Sequence, residues 1–180
     1  MPDLSEFLTP RLRLRLRPFR PEDLPFIQRY ALREYFWKFI PLEPQTPESV
    51  KSFLERRLDD VWGHGSYCCA VELIEASHLI GTVRVAVTDA KHRGGDVGFA
   101  LNDEFSGKGY MTEAVSRVLQ IGFEELGLNR IWATADVSNT ASWRLMERVG
   151  MQREGLLRQD KLMRGAWRDS YLYSILNSDT

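Results

Sequence analysis

Between Val97 and Leu126 the chain passes from an apolar run to a helical pattern through a turn with two glycines. This junction limits the fold more than any other stretch. Val97-Gly-Phe-Ala-Leu101 reads as a strand, and Met111, Val115, Val118, Leu119, Gly122 and Leu126 recur at helical spacing. Between them stands Asn102-Asp-Glu-Phe-Ser-Gly-Lys-Gly-Tyr-Met-Thr112. A helix N-terminus presents unpaired N–H groups and the positive end of the macrodipole. Glycines just before it tolerate positive φ and let an anion approach the backbone. Strand, glycine turn and helix start together make an anion cradle, most often one for phosphate. Two common phosphate loops do not fit. Gly-Lys-Gly-Tyr breaks the Walker pattern, and Gly107-Lys-Gly-Tyr-Met-Thr112 lacks the third glycine of the dinucleotide fingerprint. What stands here is Glu104-x-x-Gly107-x-Gly109.

A second constellation follows. Arg130-Ile-Trp-Ala-Thr-Ala-Asp136 reads as a strand, and Val137-Ser-Asn-Thr-Ala-Ser-Trp143 leads into Arg144-Leu-Met-Glu-Arg-Val-Gly-Met151. Gly150 suits the C′ position of that short helix. The order is strand, N-x-x-S, short helix, then E-x-x-G-hydrophobic. With the glycine loop before it, this resembles the GNAT superfamily of N-acetyltransferases. Leu8-Thr-Pro-Arg-Leu-Arg-Leu-Arg-Leu-Arg-Pro-Phe19 and Trp167-Arg-Asp-Ser-Tyr-Leu-Tyr-Ser-Ile175 look like the ends of one branch, the Rim-type ribosomal-protein N-terminal acetyltransferases. The likeness covers residues 8–176.

The resemblance implies an acetyl-CoA-dependent N-acetyltransferase with a single-domain α/β fold. Its central sheet would be mixed and mainly antiparallel, flanked by helices, with a splayed strand pair at the cofactor site. It implies a cradle for the pyrophosphate at Gly107, Lys108, Gly109, Tyr110, Met111 and Thr112. Phe99, Ala100 and Leu101 would offer main chain to the pantetheine amides. Asn139 would bond the pantetheine side or serve as a helix N-cap, and both roles can hold together. Arg148 would approach the 3′-phosphate or adenine end, or stand as a solvent-facing helix arginine. In many relatives a tyrosine of the short helix protonates the leaving thiolate. Met146 holds that place here and cannot donate. Ser142, one turn earlier, is the substitute hydroxyl, resembling a serine of the Rim branch; first-turn packing is its other reading. For the general base the candidates are Asp96, at the start of the pairing strand, and Asp160, on the C-terminal hairpin. Asp169 and Glu34 are weaker, and solvent without a dedicated base is the remaining option. Tyr35, Phe36, Trp37, Phe39 and Trp167 are candidates to line the acceptor site. The acceptor implied is the N-terminal α-amine of a protein or peptide, which would attack the acetyl carbonyl directly in a ternary complex. A small amine, amino acid or antibiotic acceptor, or a non-catalytic acyl-CoA-binding module, is the alternative. A homodimer rests on resemblance alone.

Composition limits the other classes. Formal net charge is −1, so no global field favours nucleic acid or an anionic membrane. Arg11, Arg13, Arg15 and Arg17 alternate with Leu12, Leu14 and Leu16. We read them as a half-buried strand with a solvated cationic face rather than a nucleic-acid row. Adjacent Cys68 and Cys69 read as small buried strand residues, and no Cys/His set has zinc spacing, so no metal site is expected. No apolar run approaches a membrane span and no secretory start is visible, so the cytoplasm is the expected compartment.

Along the chain, residues 1–7 are expected as a flexible tail, 8–176 as the N-acetyltransferase domain and 177–180 as a C-terminal tail. Leu24, Ile27 and Ala31 mark a helix near 22–33. Thr46 and Pro47 mark the start of another, which Val50, Phe53, Leu54, Arg57, Leu58 and Val61 continue at helical spacing. Three strands follow near 67–73, 79–87 and 96–101, and two more near 152–157 and 168–176.

Overall fold

The computed structural model describes residues 6–40 and 43–179. Thirteen elements follow in order: β1 (Phe7–Leu8), β2 (Leu14–Arg17), α1 (Leu24–Ala31), α2 (Glu34–Trp37), α3 (Pro47–Leu58), β3 (Ser66–Leu73), β4 (His78–Asp89), β5 (Gly94–Leu101), α4 (Tyr110–Glu124), β6 (Arg130–Asp136), α5 (Thr140–Arg148), β7 (Gln152–Met163) and β8 (Ala166–Leu176). The strands form one sheet in the order β1-β2-β3-β4-β5-β6-β8-β7. Every pairing is antiparallel except β5–β6. The expected α/β fold, a mixed and mainly antiparallel sheet between helices, is therefore what forms. No described helix is long and apolar enough to cross a membrane.

The sheet has a core on each face. β3 is central, and its apolar run serves both. Tyr67, Cys69 and Val71 join Val83, Val85 and Val97 beneath α4, while Cys68 and Ala70 join Leu79 beneath α1 and α3. α4 lies close to the sheet because Gly122 has no side chain there. A Cβ at that position would stand 2.7 Å from Ile131 Cδ1 and 3.0 Å from Val85 Cγ2. α3 begins where expected: Ser49 N–H donates to Thr46 Oγ1 at 3.2 Å, and Thr46 N–H donates back to Ser49 Oγ at 2.9 Å.

Several expectations need correction. The chain turns at residues 9–13 instead of running as one strand from residue 11. Leu12 N–H bonds the Thr9 carbonyl at 2.8 Å, Leu12 has φ 53°, and its side chain is exposed. Only Leu14 and Leu16 reach the core. Of the expected N-terminal tail, residues 1–5 lie outside the described residues. Phe7 and Leu8 pair with Leu16 and Arg15 as β1, and Phe7 is buried. α3 ends at Leu58, which leaves Val61 exposed. Residues 177–179, expected as a tail, form a short 3₁₀ turn.

The arginine row is not a solvated face. Arg15 pairs with Glu6 and Glu72. Arg17 is buried and bonds Asp23 (2.7 and 2.9 Å) and Glu72, both buried as well. These ion pairs neutralise Arg15 and Arg17, while Arg11 stays exposed. Removing one partner of such a cluster strands buried charge. Arg17→Ala should cost about 3–5 kcal/mol in urea unfolding. A loss below about 1 kcal/mol would show that water reaches Asp23 and Glu72.

Candidate active site

β5 and β6 pair only over Gly94↔Arg130, Gly95↔Ile131 and Asp96↔Trp132. Beyond that point β5 follows β4 to Leu101 while β6 follows β8 to Asp136. Two parallel strands thus part into a wedge-shaped gap. Asn102 N–H donates to the Ile80 carbonyl on β4 at 2.9 Å, and the Ala100 carbonyl lies against Gly81. Direction alternates along an antiparallel pair, so Phe99 and Leu101 turn their N–H and C=O groups into the gap. Tyr35 O–H already donates to the Leu101 carbonyl at 2.8 Å, and the remaining groups of such an edge can accept an amide-bearing chain as an added strand.

The glycine turn closes one end of the gap. Gly107 and Gly109 have φ 77° and 78°, which an L side chain adopts only with strain. Gly109 is the N-cap of α4 and no side chain caps it. The N–H groups of Tyr110, Met111 and Thr112 fall in the first helical turn, ahead of any helical acceptor.

Gap and turn open into one cavity of about 1020 Å³. Its wall includes Phe99, Ala100, Leu101, Gly107, Gly109, Tyr110, Met111, Thr112, Asn139, Ser142 and Arg148. Of the expected cofactor residues only Lys108 stays outside it. The Lys108 ammonium lies over the Phe105 ring and its carbonyl faces Arg13. Asn139 caps α5: its Oδ1 accepts from Ser142 N–H at 3.3 Å, which leaves the amide NH₂ for the cavity. Arg148 Nε reaches Thr112 Oγ1 at 3.4 Å and ties α5 to α4 across the mouth. The Ser142 hydroxyl has no partner among the described residues. Met146 lies in the core instead, 1% exposed.

The expected bases are elsewhere. Asp96 stands where the strands part, but its carboxylate is paired with Arg84 and does not line the cavity. Asp160 lines a separate depression on the β7–β8 hairpin beside Asp169, with the Lys161 ammonium 3.3 Å away. Asp169 accepts from Gln159 N–H at 2.8 Å, and Glu34 does not line the cavity. Tyr35, Phe36 and Phe39 do line it, whereas Trp37 and Trp167 do not; Trp167 is exposed near the hairpin tip, paired with Leu162. Glu104, read as the opening of the glycine motif, faces away and binds Arg29 and Arg33. The Arg33 guanidinium holds its carboxyl below the usual range.

Sequence reasoning missed Arg13. Its Nε and Nη2 donate to Glu113 at 3.0 and 2.6 Å, its Nη1 donates to the Lys108 carbonyl at 3.3 Å, and its guanidinium lies 4.8 Å from the centre of the Tyr110 ring. Thr9 Oγ1 donates to the other Glu113 oxygen. In a trans peptide C=O and N–H point in opposite directions. Holding the Lys108 carbonyl therefore aims the Gly109 N–H away from Arg13. The pair also neutralises a buried carboxylate beside an anion cradle. No local sequence signal links residue 13 to residue 113. Arg13→Gln should weaken acetyl-CoA binding about tenfold or more, with Arg13→Lys restoring little because it lacks the fork. Calorimetric affinity within a factor of two of wild type would contradict that role.

The family described as "Acetyltransferase (GNAT) domain" matches residues 13–152. The chain is a GNAT acetyltransferase. The chain is 30% identical over 167 residues to the uncharacterized N-acetyltransferase YnaD of Bacillus subtilis, covering 93% of this chain and 95% of that one. It is 25% identical over 166 residues to the spermidine N(1)-acetyltransferase of Escherichia coli, covering 87% and 82%. The crystal structure of ribosomal-protein-S5-alanine acetyltransferase from Vibrio fischeri superposes with a TM-score of 0.82 at 26% identity, covering 97% of both chains. A GNAT acetyltransferase uses acetyl-CoA, and the site fits it: glycines clear the cradle, main-chain edges line the gap, and cations surround the mouth. The enzyme is an acetyl-CoA-dependent N-acetyltransferase.

Proposed function

We propose that the acceptor is the N-terminal α-amine of a protein or peptide, attacking the acetyl carbonyl directly in a ternary complex. The observation that carries this reading is the continuity of the cavity. One volume reaches from the glycine turn, through the gap, to the segment Tyr35–Ile40, so donor and acceptor fit side by side. The likeness to an S5-alanine acetyltransferase supports it.

In this reading Gly107, Gly109 and the first turn of α4 hold the pyrophosphate through N–H groups. The Phe99 main chain and the Leu101 N–H hold the pantetheine amides from one side and the Asn139 NH₂ from the other, while Tyr35 keeps the Leu101 carbonyl. Acetyl-CoA supplies the activated acetyl group. Ser142 faces the gap and returns a proton to sulfur as the thiol leaves. Arg148 lies on the α5 side of the mouth, placed for the 3′-phosphate end. The test is release of coenzyme A thiol with a panel of N-terminal ribosomal-protein peptides. Turnover with free peptides and none with N-blocked ones is expected. Equal turnover with both would contradict an α-amine acceptor.

A further inference from the structure

The charged residues lining the cavity are Arg11, Arg13, Lys38, Arg148 and Glu113. Glu113 is the one carboxylate among them, and Arg13 and Thr9 occupy both of its oxygens. The phenols present are Tyr35 and Tyr110. Tyr35 O–H donates to the Leu101 carbonyl at 2.8 Å, and its pKa is pushed up to about 12, by burial first and the Asp103 carboxylate second. The Tyr110 ring lies against the Arg13 guanidinium. No described histidine or cysteine lines the wall.

Of the carboxylates behind the wall, Asp96 pairs with Arg84 through Oδ2 while its buried Oδ1 has no partner among the described residues. Asp103 and Glu104 pair with Arg33, and neither Asp96 nor Glu34 lines the cavity. Asp136, at the far end of β6, bonds Arg168 at 2.8 Å and the Ser138 N–H at 2.8 Å. Burial pushes its carboxyl up, but those two donors hold it below the usual range. Glu147 accepts from Tyr173 O–H at 2.9 Å. The acceptor end therefore presents Lys38, with its ammonium 5.1 Å from the centre of the Phe39 ring, and apolar surface.

Resting on the N-acetyltransferase reading, we infer that the acceptor enters this site as an already neutral amine, that no carboxylate among the described residues takes its proton, and that the site rejects polycationic amines. The balance closes without a base. The neutral nitrogen forms the N–C bond, the C–S bond breaks with its electron pair on sulfur, and the proton shed by nitrogen passes through the Ser142 hydroxyl to make the thiol. The consequence is selectivity by acidity. α-Amino groups ionise near 7.7–8.0 and lysine-like amines near 10.4, so at pH 7 the neutral fractions differ about 300-fold. A polyamine meets a second obstacle: its other ammonium groups find cations where they need carboxylates.

The test is kcat/KM against pH, with wild type, for three acceptors: a peptide with a free α-amine, the same peptide N-blocked with one lysine, and spermidine. The expected profile rises tenfold per pH unit and levels at each acceptor's own pKa. At pH 7 the α-amine should lead the other two by about 100-fold or more. Asp96→Asn should leave the inflection in place. Lys38→Glu should raise spermidine turnover about tenfold. An inflection at one pH for every acceptor, or spermidine used as well as the peptide, would overturn the inference. Acetyl-CoA binding with no turnover of any amine would instead overturn the transferase reading, and this inference with it.

Discussion

Gly109→Trp is expected to lower acetyl-CoA affinity by about 100-fold or more while the protein stays folded. Gly109 is the N-cap of α4 at φ 78°. A Cβ there would face open space, with Arg13 Nη2 the nearest atom at 3.9 Å. An indole would therefore fill the cradle rather than the core. Main-chain N–H groups that cannot reach the pyrophosphate lose several charge-assisted hydrogen bonds at once. The fold should suffer only the left-handed backbone penalty, about 1–2 kcal/mol. In a chain of this size that lowers the melting temperature by about 2–8 °C. Calorimetry on the two proteins decides the matter. Wild-type affinity in the variant would move the pyrophosphate away from this turn.

Ser142→Ala is expected to lower kcat by about 100-fold, with acetyl-CoA affinity unchanged within about threefold. The substitution is clean because the α5 cap uses the Ser142 N–H, which alanine retains. Only the hydroxyl is lost, and it has no partner among the described residues. A parallel fall in kcat and affinity would indicate packing at the cofactor. An unchanged kcat would remove Ser142 from the proton path.

The legible parts of this chain were local. Gly107 and Gly109 stand between a strand and a helix, and Asn139 caps a short helix, so their neighbours in sequence betray them. Thr46 with Pro47 announced α3 for the same reason. The parting of β5 from β6 came from family resemblance, since no residue pattern within either strand encodes where pairing stops. The illegible parts are contacts across long separations. The alternating row at residues 11–17 looks solvated until the partners Glu72, Asp23 and Glu113 arrive from other elements. Leu12 fits the strand parity, but β1 folds back and forces a turn at that point. Asp160 and Trp167 are candidates only by their place on a hairpin that reads as short in the sequence. β7 runs on to Met163, and both residues lie away from the cavity. Position in the chain singles out Asp96 as a candidate base, whereas its pairing with Arg84 of the neighbouring strand appears only in the fold.

The most direct measurement uses one peptide bearing a free α-amine and an internal lysine. It is incubated with the enzyme and acetyl-CoA at pH 7, and the product is located by tandem mass spectrometry. Acetyl on the α-nitrogen, with lysine acetylation at or below about 1% of it, is the expected result. Acetyl mainly on the lysine, or no product from an enzyme that binds acetyl-CoA, would contradict the account.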